Sequence, residues 1–128
     1  MPIVHVHLRA GRPPAERKAI LDGVHAALVE AFRIPETDRN QILHEHPPDH
    51  LESGHGAAFT LVEAAVFPGR SREAKRNLYT ALVRNLSRAA AIPPEAVLAV
   101  RHEPPLESWG IRGGQAASDV QLGFRLDV

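Results

Sequence analysis

Two stretches, GRPPAERKAILDGVHAALVEAFRIP at 11–35 and GRSREAKRNLYTALVRNLSRAAAIP at 69–93, open and close alike. Gly11-Arg12 recurs as Gly69-Arg70, and Ile34-Pro35 as Ile92-Pro93, at one offset of 58 residues. Leu28 matches Leu86 and Ala31 matches Ala89 at the same offset. The match extends past the quoted segments, with His44-Glu45 recurring as His102-Glu103 and Pro47 as Pro105. Identities spread over half a chain at one fixed offset indicate a duplicated supersecondary unit, since two copies are too few for a solenoid.

Each copy reads strand, helix, strand. Ile3-Val4-His5-Val6-His7-Leu8 is rich in β-branched residues and predicts a strand. Pro13-Pro14 suits a first helical turn. Ile20, Leu21, Val24, Leu28, Val29 and Phe32 then share a helical face that ends before Pro35. Gln41 to Glu45 predicts the second strand, stopped by Pro47-Pro48. In the second copy a strand is expected from Phe59 to Phe67. A helix follows, with Leu78, Tyr79, Leu82, Val83 and Leu86 on its apolar face, and a closing strand runs from Ala96 to His102. The fold class expected is α/β (α+β): a duplicated β-α-β unit forming a four-stranded mixed sheet with two helices on one face. One domain covers 1–128, with repeat one at 2–48, repeat two at 59–105 and a tail at 106–128 that is Gly-rich and holds the only tryptophan, Trp109.

Parallel strand pairs are normally covered on both sides, and this chain has no third layer. Self-association through the bare face is therefore expected. The 128 residues suffice for one modest core. Lys+Arg and Asp+Glu are both 15, so no basic excess suggests nucleic acid. The chain has no cysteine, which excludes thiolate chemistry and disulfides. No apolar run approaches the roughly 20 residues of a membrane helix, and IVHVHL is not a signal-peptide core. A soluble cytoplasmic protein is the expectation.

The copies differ informatively. Pro2 corresponds to Thr60 and Asp38 to Ala96, so only the first copy has these two residues. Proline is tolerated at the first position of a strand, which is one reading of Pro2. The other follows from processing. Aminopeptidases remove Met1 when residue 2 is small, which would leave Pro2 as a secondary amine at the chain end.

Pro2-Ile3 opening a strand, Gly11-Arg12 before a helix, HAALVEAFRIPETDRNQ (25–41) and GRSREAK (69–75) together resemble the tautomerase superfamily. The closest resemblance is to its malonate semialdehyde decarboxylase-like branch. It covers nearly the whole chain and implies a trimer with sheets packed inside. It also implies Pro2 as the catalytic residue, Asp38 as the carboxylate working beside it and Arg70 as the binder of a substrate carboxylate. One departure stands out: Pro68 occupies the place of the first of two arginines in that branch, and Arg72 is the candidate replacement.

The chemistry follows from these types. An α-amino group titrates near 7.7–8.0, and an apolar wall or a nearby cation lowers that value. A neutral Pro2 is then a base for an enol or an α-carbon. An ionised Asp38 alongside would keep it protonated and make it an acid. Arginine matches a carboxylate with two parallel hydrogen bonds, which makes Arg12 and Arg70 the candidates, from one subunit or two. Two enzyme activities are thus open: keto–enol tautomerisation of a small 2-oxo carboxylic acid, or decarboxylation or hydration of a short 3-oxo or acetylenic acid. A non-catalytic binding or signalling role on the same scaffold is the third reading. No metal and no organic cofactor is implied.

Of the 8 histidines, His5/His7 and His44/His46 each share one face of a strand and read as structural or surface histidines rather than zinc ligands. His25 lies on the apolar helix face, where it is expected to hydrogen-bond backbone, with a substrate-site role as the alternative. Trp109 is expected to pack, and a tail near the site would let it also touch substrate.

Overall fold

The computed structural model describes residues 2–128; Met1, and with it the expected methionine removal, lies outside them. Strand β1 (Ile3–Arg9) leads into helix α1 (Pro14–Phe32) and strand β2 (Gln41–His46). The second unit repeats this as β3 (Thr60–Ala65), α2 (Arg72–Ala90) and β4 (Val97–His102). A two-stranded ribbon, β5 (Gly110–Ile111) and β6 (Gln115–Ala116), belongs to the tail. The sheet order is β2-β1-β3-β4. The strands within each unit are parallel, and β1 meets β3 antiparallel with Ile3 opposite Ala65. The expected four-stranded mixed sheet with both helices on one face is present.

The duplication extends to backbone detail. Gly11 and Gly69 both adopt left-handed φ values, 125° and 117°, which only glycine takes without strain. Both helices end on a residue at the same offset in the αL conformation, Arg33 (φ 54°) and Ala91 (φ 53°). Their starts differ: Pro13-Pro14 pre-sets α1, whereas Ser71 Oγ caps α2 by accepting from the Ala74 amide at 3.0 Å.

Val4, Val6 and Leu8 alternate inward on β1 and bury against Ile20, Val24, Leu28 and Phe32 of α1 and Leu78, Leu82 and Leu86 of α2. The helices approach closely at Gly23, whose carbonyl accepts from Asn85 Nδ2 at 2.9 Å. A Cβ at Gly23 would come within 3.3 Å of the Asn85 Cβ. Two expectations are corrected. Tyr79 is not on the buried stripe but 38% exposed, its hydroxyl accepting from Arg101 Nε at 3.0 Å. The expected strand from Phe59 to Phe67 is shorter at both ends. Phe59 closes a turn with Gly56, and beyond Val66 the chain leaves the sheet ahead of Pro68, which has no amide hydrogen to donate. Phe67 instead joins Trp109, Ile111 and Ala117 in a second apolar cluster.

Among the described residues, no layer covers the opposite sheet face. Ile3, Ile42, Leu98 and Val100, all 39–50% exposed, lie on that face in register with one another's strands. Among the described residues, no helix is long and apolar enough to cross a membrane.

Candidate active site

The antiparallel β1/β3 pairing decides what surrounds Pro2. Because Ile3 faces Ala65, the start of β1 lies beside the chain leaving β3. Pro2 is buried there, in a cavity of about 10 Å³ that it lines with Phe32, Val66, Phe67 and Arg70. That is room for about one water. The Pro2 carbonyl accepts from Asn40 Nδ2 at 3.2 Å, and the Asn40 carbonyl accepts from the Val4 amide at 2.9 Å. Asn40 therefore grips the start of β1 at two points.

Arg70 is 6% exposed, an unusual position for a guanidinium. It lies over the Phe32 ring, 5.0 Å from the centroid, and donates from Nη1 to the Phe67 carbonyl at 2.9 Å. Its buried Nε has no hydrogen-bond partner among the described residues. Burial pushes this guanidinium below its ordinary pKa, and the carboxylates of Glu103 and Asp38 pull it back up. The buried loop is fixed from outside by the tail: the Ser71 amide donates to the Val128 carbonyl at 2.9 Å, and Leu126 packs on Gly69.

Asp38 lines a larger cavity of about 230 Å³ with Thr37, Phe67, Ile111, Arg112 and Phe124. Phe67 borders both cavities and so stands between Pro2 and Asp38. Trp109 meets Phe67 edge-on at 4.8 Å between centroids and donates from Nε1 to the Pro104 carbonyl at 3.1 Å. It packs behind the Phe67 wall and does not line either cavity. His25 donates from Nε2 to the Glu36 carbonyl at 2.8 Å. This is the backbone-bonded core histidine expected, and it anchors the turn that carries Asp38.

Arg12 and Arg72 are not brought to Pro2. Arg12 follows the far end of β1, about 20 Å from Pro2 by strand rise. There it pairs with Glu16 and donates to the Ala90 carbonyl. The reason is topological: the two Gly-Arg turns follow antiparallel strands and so lie at opposite ends of the sheet. Arg72 is exposed on the first turn of α2. Asn40 and Thr37 were not apparent from sequence. The signal for Asn40 was its place directly before Gln41, which the parallel register sets beside Val4.

Two models of a family described as "Tautomerase enzyme" match this chain, at residues 38–112 and 2–54. The probable tautomerase YrdN of Bacillus subtilis (strain 168) is 31% identical over 122 residues, covering 91% of this chain and 95% of that protein. Among solved structures, a malonate semialdehyde decarboxylase superposes with a TM-score of 0.81 at 28% identity, covering 93% of this chain and 99% of that one. A fused 4-OT solved as a symmetric trimer superposes with a TM-score of 0.83 at 25% identity, covering 91% and 96%. With a matching model over more than half its length and this shared fold, the chain belongs to the tautomerase family of enzymes.

Proposed function

We propose that this enzyme catalyses cofactor-free keto–enol tautomerisation of a small 2-oxo carboxylic acid such as phenylpyruvate or a 2-hydroxydienoate. Pro2, made terminal by removal of Met1, is the proton carrier. The observation that carries this reading is the buried Arg70 beside Pro2, with a guanidinium Nε that lacks a partner among the described residues. An unpaired buried donor costs about 1–3 kcal/mol, which a substrate carboxylate would offset. Arg70 holds that carboxylate once Phe67, the wall shared with the cavity of about 230 Å³, turns aside, because the space beside Pro2 alone admits about one water. The neutral Pro2 nitrogen takes the proton of the enol hydroxyl, and the prolinium returns it to carbon, so the reaction is a net isomerisation. Phe32, Val66 and Phe67 keep water away from the amine and, with the Arg70 charge, favour its neutral form.

A homotrimer supports this site. The bare sheet face is apolar, the fused 4-OT is a symmetric trimer, and a neighbouring protomer can bring the Arg12 end of its sheet toward Pro2. The second arginine then stabilises charge on the 2-oxygen. Decarboxylation of a short 3-oxo acid is the second reading, favoured by Asp38 lining the cavity next to the Phe67 wall and by the likeness to malonate semialdehyde decarboxylase.

The test is the ketonisation rate of enol-phenylpyruvate and of a 2-hydroxydienoate against pH, with wild type and Pro2→Ala. The expected kcat/KM rises as the amine loses its proton and is level by neutral pH, and Pro2→Ala lowers it by roughly 10²–10⁴-fold. An amine still protonated at neutral pH, with turnover of a 3-oxo acid and none of a 2-oxo enol, would establish the second reading instead.

A further inference from the structure

Five of the 8 histidines in the chain stand on the bare sheet face. His5 and His7 of β1 reach across to β2. His5 Nδ1 lies 2.8 Å from His44 Nε2, and His7 Nδ1 lies 2.9 Å from His46 Nε2. One pair is stacked face to face, His7 and His44, 4.3 Å apart between centroids with an interplanar angle of 8°. His5–His44 and His7–His46, at 5.1 and 5.2 Å between centroids, are the edge-to-edge hydrogen-bonded pairs. The result is a ladder of two imidazole–imidazole hydrogen bonds tied together by stacking.

Such a bond needs one N–H and one bare ring nitrogen. It survives with both rings neutral or with one charged, but not with both protonated, because no acceptor remains. Charging both rungs also sets cations face to face across the 4.3 Å stack. The surroundings do not compensate. On β1 the next residue on this face is Arg9, a further cation, whose Nη2 donates to the Leu51 carbonyl. From β3 comes one carboxylate, Glu63, 4.0 Å from His7 Nε2. From β4 comes the fifth imidazole, His102, which shares that carboxylate at 3.4 Å. Burial pushes the His7 imidazole below its ordinary pKa, His44, His46 and His5 push it the same way, and Glu63 opposes them. A group depressed in this way favours the ordered form fully above its ordinary value. It withdraws that support as pH falls through the value and on toward the lowered one.

Around the ladder, Ile3, Ile42, Leu98 and Val100 supply the apolar surface that a second copy of this chain would cover. We infer that the histidine ladder makes self-association through this face acid-sensitive: protomers join while the rungs are uncharged and separate once both are protonated. The inference rests on the assembly reading under Proposed function. Covering the face removes the remaining water from the rings and sharpens the cost of charging them.

Sedimentation velocity on the full chain at about pH 7.5 and about pH 5 tests it, with His44→Gln/His46→Gln as the comparison, because Gln keeps hydrogen-bonding capacity without a titrating charge. The expected result is an assembly at the higher pH, reversible dissociation of wild type at the lower, and a double variant that stays assembled at both. Wild type that stays assembled at the lower pH, or a variant that dissociates alongside it, overturns the inference and leaves the assembly reading standing. A monomer at the higher pH overturns both. If the double variant does not assemble at all, the wild-type midpoint decides: a tenfold higher protein concentration must move it to lower pH, and an unmoved midpoint overturns the inference.

Discussion

Arg70 is the residue whose environment says most about chemistry. A guanidinium pressed on Phe32 and bonded to one backbone carbonyl is costly to bury. Replacing it tests the cost against the use. Arg70→Ala is expected to raise KM and lower kcat/KM for a 2-oxo acid by roughly 10–100-fold, in line with one charge-assisted hydrogen-bonding group. Arg70→Lys should recover little of this, because an ammonium lacks the planar fork. Steady-state kinetics on both variants checks the pair. Equal losses for a substrate without a carboxylate would show that Arg70 only supports the fold. As candidates, Arg70 stands out in the sequence through its repeat partner Arg12, and Pro2 through its contrast with Thr60. Asn40 carries no such mark in the sequence, because its hydrogen bond to the Pro2 carbonyl exists only once β1 and β2 pair.

The elements show where duplicated sequence dictates duplicated structure. Gly-Arg turns and Ile-Pro exits recur because the left-handed turn and the helix end recur, and those were readable from residue types. Each helix ends with a non-glycine αL residue, a conformation that costs an L-residue roughly 1–2 kcal/mol. Ala91→Gly is therefore expected to stabilise the protein by about 0.5–1 kcal/mol, seen as a higher denaturation midpoint. Gly69→Ala should do the reverse by about 1–2 kcal/mol. It forces a side chain to φ 117° and sets its Cβ 3.4 Å from Leu126, which loosens the tail over the Arg70 loop. The strand stops short of Phe59 for a local reason, the turn closed with Gly56, and short of Phe67 for a tertiary one. Phe67 is as β-prone as its neighbours, but the tail's Trp109 offers it a better burial outside the sheet.

At the level of assembly, the sequence disclosed that one sheet face would be bare but not that a histidine ladder crosses it. The alternation of His5 and His7 was visible, whereas the bonds to His44 and His46 depend on the parallel register. The separation of Arg12 from Pro2 along one strand leads to a complementation test. Arg12→Ala and Pro2→Ala proteins, each nearly inactive, should regain activity when mixed and allowed to exchange protomers, because some sites then combine an intact Pro2 with a neighbour's intact Arg12. No recovery under proven exchange would place the second arginine elsewhere. All of this chemistry presupposes a free amine at Pro2. The mass of the N-terminal peptide of the protein made in its own host settles that point. A peptide beginning at Pro2 is the predicted result; one beginning at Met1 would make that nitrogen an amide and contradict proton transfer by Pro2.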